Sequence, residues 1–84
     1  MAAGDGRTMQ YHLNRLAGTL NANDVPRYDA QGAANIWAST SGLALQGALN
    51  RKAGTSGLAV QGALNKLAGT SGLGVNEAAA RITA

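Results

Sequence analysis

Two consecutive segments of this chain are almost the same: residues 41–55 read SGLALQGALNRKAGT and residues 56–70 read SGLAVQGALNKLAGT. A weaker copy begins at Ser71 and runs to Ala84. Earlier in the chain, QGAAN at residues 31–35 matches QGALN at 46–50, and LNRLAGT at 13–19 matches LNKLAGT at 64–70. A fixed period of this kind is typical of repeat architectures. The sequence therefore predicts five copies of one structural unit of about fifteen residues.

Each copy has the pattern of one short helix followed by one tight loop. Apolar residues spaced as on a single helical face are Leu45, Ala48, Leu49 and Ala53. Gly54 follows at the position where a left-handed helix end favours glycine. The Thr-Ser-Gly run at 55–57 is expected to supply hydroxyl groups that cap the next helix. The predicted helices lie near 9–18, 28–38, 43–53, 58–68 and 73–82.

Helices of this length are too short to be stable alone in water, so they must pack on one another. Because the loops are short, we expect neighbouring helices to run antiparallel. The predicted fold is therefore all-α: five short antiparallel helices in a compact bundle or a short solenoid. The domain covers residues 9–84, and residues 1–8 form a flexible N-terminal arm. Only the first junction is irregular, with extra turn-forming residues at 20–26.

Two further features recur inside the predicted helices, a glycine and a pair of side-chain amides. Glycine at one repeat position (Gly32, Gly47 and Gly62) costs about 1 kcal/mol relative to alanine, and its recurrence suggests that helices approach closely there. Glutamine and asparagine lie four residues apart in the same copies, as at Gln46 and Asn50. We expect these amides to bond neighbouring loop backbone and to fix how the copies stack; the alternative is an amide ladder exposed to a ligand.

Composition excludes several classes of protein. The chain has 84 residues, which is one domain, and it has no cysteine, so disulfides and zinc–thiolate sites are impossible. No apolar run is long enough for a membrane span. The N-terminus has no apolar segment typical of a signal peptide, and Met1 suggests a complete gene product. The net charge of +3 favours an acidic partner only mildly.

The sequence contains no catalytic or metal-binding pattern. His12 is the single histidine, and no arrangement pairs the four carboxylates of the chain for acid–base work. Ligand spacing for a metal is absent. We therefore expect a protein that is not an enzyme and needs no cofactor. Trp37 could be an exposed binding anchor or could be buried against the irregular loop, and the sequence leaves both open.

Three phrases carry a family resemblance: LNRLAGT at 13–19, QGAANIWA at 31–38 and GLAVQGALNKLAGT at 57–70. These segments resemble the sequences of small virion-associated proteins of tailed phages that infect actinobacteria. They are also similar to repeats at the ends of some phage minor structural proteins. The resemblance covers about residues 11–84. It transfers no catalytic residue and does not separate head from tail. In the last copy Glu77 replaces the helical glycine and Ala80 replaces the asparagine, as expected of a terminal repeat.

The resemblance implies a structural protein of the virion, assembled in the cytoplasm of the bacterial host. We expect a minor capsid protein that decorates or cements the shell, with the major capsid protein and copies of itself as partners. Its positive charge would complement a carboxylate-rich shell. The alternatives are a tail or head–tail connector component, which would bind a tail protein, and a small nucleic-acid-binding protein, which the scattered basic residues disfavour. The candidate partner-contact residues are Arg7, Arg15, Arg27, Trp37, Arg51 and Lys52.

Overall fold

The computed structural model describes residues 7–83 and shows five α-helices within that range. Their bounds are α1 Met9–Ala17, α2 Ala30–Ala38, α3 Leu45–Ala53, α4 Val60–Ala68 and α5 Val75–Thr83. Over the described residues the only strand-like pairing is an isolated bridge between Leu20 and Pro26 in the irregular loop. The predicted all-α fold is confirmed. No helix among these residues has the length and apolar character that crossing a membrane requires.

The helices after α1 begin two residues later than the apolar spacing predicts. Ala44 and Ala59, which precede α3 and α4, have extended backbones and make no side-chain capping bond. The expectation that Thr-Ser hydroxyls cap the next helix is therefore wrong for α3 and α4. Thr55 instead donates its hydroxyl back to Asn50 Oδ1 at 2.8 Å.

The helix ends follow the sequence prediction. Gly54 and Gly69 adopt left-handed backbones with φ of 72° and 71°, and their amides donate to carbonyls of the last turn. Gly18 ends α1 in the same way. At the end of α2 the residue with the left-handed backbone is Ser39 instead of a glycine, with φ of 62°. A side chain is strained in this conformation, so α2 ends less favourably than its neighbours.

The sixth residue of each of the first four helices is a buried asparagine that binds the following loop. The four are Asn14, Asn35, Asn50 and Asn65. In α3, Asn50 Nδ2 donates to the carbonyls of Gln46 and Leu58, each at 2.8 Å. Asn50 Oδ1 accepts from the Thr55 hydroxyl at 2.8 Å and from the Leu58 amide at 3.1 Å. We call this set of four bonds the asparagine clamp.

The same four bonds recur, with the same offsets, around Asn35 and Asn65. Around Asn14 the clamp reaches across the irregular loop to both backbone groups of Tyr28. The clamp uses all the donors and acceptors that one side-chain amide offers. It therefore holds the loop to the helix and leaves no polar atom of the amide without a hydrogen bond. The expectation that these asparagines bind loop backbone is confirmed, and the bonds accompany the late helix starts, because Leu43 and Leu58 are bonded to an asparagine and lie outside the helices.

The five helices close into a ring. Each helix contacts the helix before and the helix after it, and α1 contacts α5. At that closing contact Asn76 Oδ1 accepts from the Met9 amide at 2.7 Å, and Thr83 Oγ1 lies 3.1 Å from His12 Nδ1. The molecule is a thin disc with extents of 35 × 29 × 13 Å. The repeats thus form a closed bundle rather than an open solenoid.

An odd number of helices cannot alternate in direction at every contact of a closed ring. Where α1 meets α5, the bond from Met9 to Asn76 joins the two N-terminal ends. The antiparallel arrangement at the other four contacts stays a prediction.

The centre of the disc is filled by the fourth and fifth residues of the helices. These buried side chains are His12, Leu13, Ala33, Ala34, Ala48, Leu49, Ala63, Leu64, Ala78 and Ala79. Mostly small side chains let five helices approach one point at native packing density. Where the other helices have alanine, α1 has His12, whose ring packs edge-on against Tyr11 with centroids 5.3 Å apart. Its place in the core beside Thr83 supports a structural role.

The predicted N-terminal arm is described only at its last two residues. The Thr8 side chain accepts a hydrogen bond from the Tyr11 amide and caps the start of α1. Arg7 lies against Asp24 and Tyr11. Residues 1–6 lie outside the described residues, and flexibility there stays a prediction.

Candidate docking surface

The seventh residue of every helix is exposed, and four of the five are basic. We call these five residues the seventh-position ring: Arg15, Ile36, Arg51, Lys66 and Arg81. These side chains share one position in the helix of each repeat. Two of the predicted contact residues, Arg15 and Arg51, belong to this ring.

Arg7 is held within the molecule rather than in the ring. Its Nη1 lies 3.1 Å from Asp24 Oδ2, the one ion pair found within residues 7–83, and its guanidinium lies 4.2 Å from the centroid of the Tyr11 ring. The Tyr11 hydroxyl also donates to Asp24 at 2.8 Å. This bond, together with the Arg7 charge, holds the pKa of Asp24 below its ordinary value. Arg7 therefore fixes the irregular loop to α1.

Trp37 is neither fully exposed nor fully buried. Its ring is half-buried and packs against the core, and the Lys52 ammonium lies 5.1 Å from the ring centroid. A cation over an indole face is a favourable contact. Lys52 thus covers Trp37 instead of projecting freely. Arg27 is exposed between α1 and α2 and does not belong to the seventh-position ring.

Three large apolar side chains of the described chain are exposed. They are Val25, Tyr28 and Ile36, with exposed fractions of 50%, 44% and 41%. Tyr28 and Ile36 line the same groove beside α2, whose polar lining residues include Asp29, Gln31 and Ser41. This groove combines apolar walls with hydrogen-bonding groups.

Equivalent grooves lie on α3 and α4. The residues that line them include the seventh-position residues Arg51 and Lys66 and the helical glycines Gly47 and Gly62. The cavity volumes are about 470 Å³ on α2, 470 Å³ on α3 and 790 Å³ on α4. On α1 and α5 the glycine position is filled by Tyr11 and Glu77.

The helical glycines do not mark close helix approach. A Cβ atom on Gly47 would meet only Leu43 Cβ at 3.7 Å, and one on Gly62 would meet Leu58 Cβ at 3.6 Å, both ordinary contacts. The expectation that these two glycines permit helices to pack closely is therefore wrong. Gly32 is tighter, because a Cβ there would lie 3.1 Å from the Asp29 carboxylate that caps α2. Gly47 and Gly62 line the grooves on α3 and α4, and each leaves room for a Cβ atom.

The described side chains offer no metal site, since no three carboxylates or histidines of residues 7–83 come together. Asp24 binds Arg7 and Tyr11, and Asp29 accepts from the Gly32 amide at the start of α2. The arrangement of exposed basic and apolar side chains is suited to binding a partner surface. Sequence reasoning missed Ile36, Lys66 and Arg81, although the repeat register aligns them with Arg15 and Arg51.

No family model, curated protein or solved structure matches this chain.

Proposed function

We propose that this protein is a structural docking protein of a phage particle, a minor capsid protein that decorates or cements the shell. The observation that carries the proposal is the seventh-position ring: a thin helical disc presents a basic or apolar side chain at the same place on each repeat. A thin disc adds little height to the surface on which it lies, so most of its area is available for contact.

The charge of the disc supports an acidic partner. The ring has four basic side chains, whereas residues 7–83 carry three carboxylates, Asp24, Asp29 and Glu77, and the net charge of the chain is +3. Exposed basic side chains of this kind speed association with a negatively charged protein surface. The resemblance of the repeats to virion-associated proteins suggests a surface of the particle, and we propose that this surface is the capsid shell, with the major capsid protein and further copies of the disc as partners.

Fractionation of purified phage particles tests this role. Particles are separated into tail-less heads and free tails, and the protein is quantified in each fraction by mass spectrometry. We expect many copies per particle, retained on the heads. A small, fixed number of copies on tails would replace the proposal with a tail or connector role, and absence from particles would discard both.

A further inference from the structure

We propose that the grooves on α3 and α4 each take a carboxylate side chain of a partner protein, with Arg51 and Lys66 as the pairing cations. The inference rests on the proposed docking role and names the part of the disc that performs it. The groove on α2 has no such role, because Asp29 and Ile36 line it and no basic residue does.

The first step is the charge of the two grooves. Each is lined by one basic residue, Arg51 on α3 and Lys66 on α4, and neither is lined by a carboxylate. Both basic side chains are exposed. The one ion pair within residues 7–83 joins Arg7 to Asp24, so the described chain supplies no anion to either groove. A carboxylate of a partner would supply it and accept charge-assisted hydrogen bonds.

The second step is that the two grooves adjoin. Thr55 and Ser56 line both of them. The Thr55 hydroxyl is used by the asparagine clamp, whereas Ser56 is exposed and its hydroxyl can donate to a carboxylate. One segment of a partner can therefore reach both grooves, and two carboxylates on that segment would bind more tightly than one.

The third step is the space beside each cation. Gly47 precedes Arg51 by four residues and Gly62 precedes Lys66 by four, so each pair lies on one face of its helix. Glycine within a helix is destabilising relative to alanine. The packing does not require it here, since an added Cβ would make only ordinary contacts. The two glycines instead leave room beside the cation in which a side chain of a partner can lie.

The fourth step favours protein over nucleic acid. A phosphate backbone is bound by several basic residues together, and single strands stack their bases on aromatic side chains. Each groove has one basic residue and is lined by no aromatic residue. Half-buried leucines also line the grooves, Leu43 on α3 and Leu58 on α4. A single cation beside apolar carbon matches a carboxylate on a protein surface.

An NMR titration of the isotope-labelled full chain tests the inference. The probe is a random copolymer of glutamate and alanine, and the comparison probes are a copolymer of lysine and alanine and a short DNA duplex. We expect the glutamate copolymer to bind and to shift the amide signals of Gly47 and Gly62. The signal of Gly32, which lines the α2 groove, should stay in place, and the lysine copolymer should not bind.

Variants that remove one charge test the two cations. Arg51→Ala and Lys66→Ala should each weaken binding of the glutamate copolymer about two- to five-fold, as for the loss of one exposed ion pair. The double variant should multiply the two losses, because each acts on a different groove. Arg27→Ala is the matched control: Arg27 is exposed and lines none of the three grooves, so this variant should weaken binding less than either. Circular dichroism checks that every variant is folded.

Three outcomes would overturn the inference: no binding of the glutamate copolymer, equal effects of Arg27→Ala and Arg51→Ala, or a shift at Gly32 as large as those at Gly47 and Gly62. Tighter binding of the duplex, with shifts at the same two glycines, would assign the grooves to nucleic acid instead. Failure here with the protein still present on heads would leave the capsid role standing. Copolymer binding in the two grooves with absence from particles would remove that role and keep the docking site.

Discussion

Replacing Asn50 with alanine tests whether the asparagine clamp holds the repeats together. The substitution removes four hydrogen bonds, two donated by Nδ2 and two accepted by Oδ1. One such bond contributes about 0.5–1.5 kcal/mol net to stability. Because the half-buried loop groups of Leu58 and Thr55 can recover part of this by bonding water, we expect a loss of about 2–4 kcal/mol.

That loss is large for this chain, whose total stability should be about 4–13 kcal/mol at 0.05–0.15 kcal/mol per residue. The assay is urea unfolding followed by circular dichroism at the helix band. Arg51→Ala is the matched control, since Arg51 is the next residue, is exposed and takes no part in the clamp; its effect should stay within about 0.5 kcal/mol. Equal effects of the two substitutions would refute the reasoning.

A second variant separates the hydrogen bonds from the volume of the side chain. Asn50→Asp keeps the shape, but it places a carboxylate oxygen against the carbonyls of Gln46 and Leu58, to which the amide now donates. We expect it to be at least as destabilising as Asn50→Ala at neutral pH and to recover partly in acid, where the protonated group can donate. If Asn50→Asp left the free energy of unfolding unchanged, the two donated bonds would contribute nothing to stability.

Three further predictions follow from the backbone and from one carboxylate. Ser39→Gly should raise stability by about 0.5–1 kcal/mol and Gly54→Ser should lower it by a similar amount, because both residues have left-handed backbones; thermal melts of the pair check the signs. Gly47→Ala should stabilise α3 by about 0.5–1 kcal/mol, since the added Cβ makes only an ordinary contact, and a lower melting temperature would contradict the open-groove reading. The pKa of Asp24 is lowered in the folded chain, so its carboxylate stabilises the fold above the ordinary carboxyl pKa and loses this effect as the pH falls through the folded value. The urea midpoint of the parent chain should therefore exceed that of Asp24→Asn at neutral pH and converge with it in acid, and a constant gap would contradict this.

Features that depend on neighbouring residues could be predicted from the sequence. The apolar spacing located all five helices, and the glycines after Ala53 and Ala68 correctly marked helix ends. The predicted starts of α3 and α4 were two residues early because Leu43 and Leu58 fit the apolar pattern, but an asparagine eight positions before each one binds its backbone in the loop.

Features that depend on distant residues could not be predicted in this way. Ring closure rests on bonds between α1 and α5, such as that from Met9 to Asn76, and no periodic pattern encodes which helices meet at the ends of an array. The helical glycines were assigned to close packing because sequence cannot show that their outer side is open. For the candidate surface, the repeat register did contain the signal, since it aligns Ile36 with Arg51 and Lys66, but exposure at this position became evident only in the folded ring.

A cryo-electron-microscopy reconstruction of the phage particle tests the central claim most directly. The account predicts disc-shaped density of about 35 × 29 × 13 Å on the outer surface of the capsid shell. In that density, the exposed basic side chains of the seventh-position ring should face acidic residues of the major capsid protein. Density for the protein on the tail, or a disc on the shell whose basic side chains are open to solvent, would contradict it.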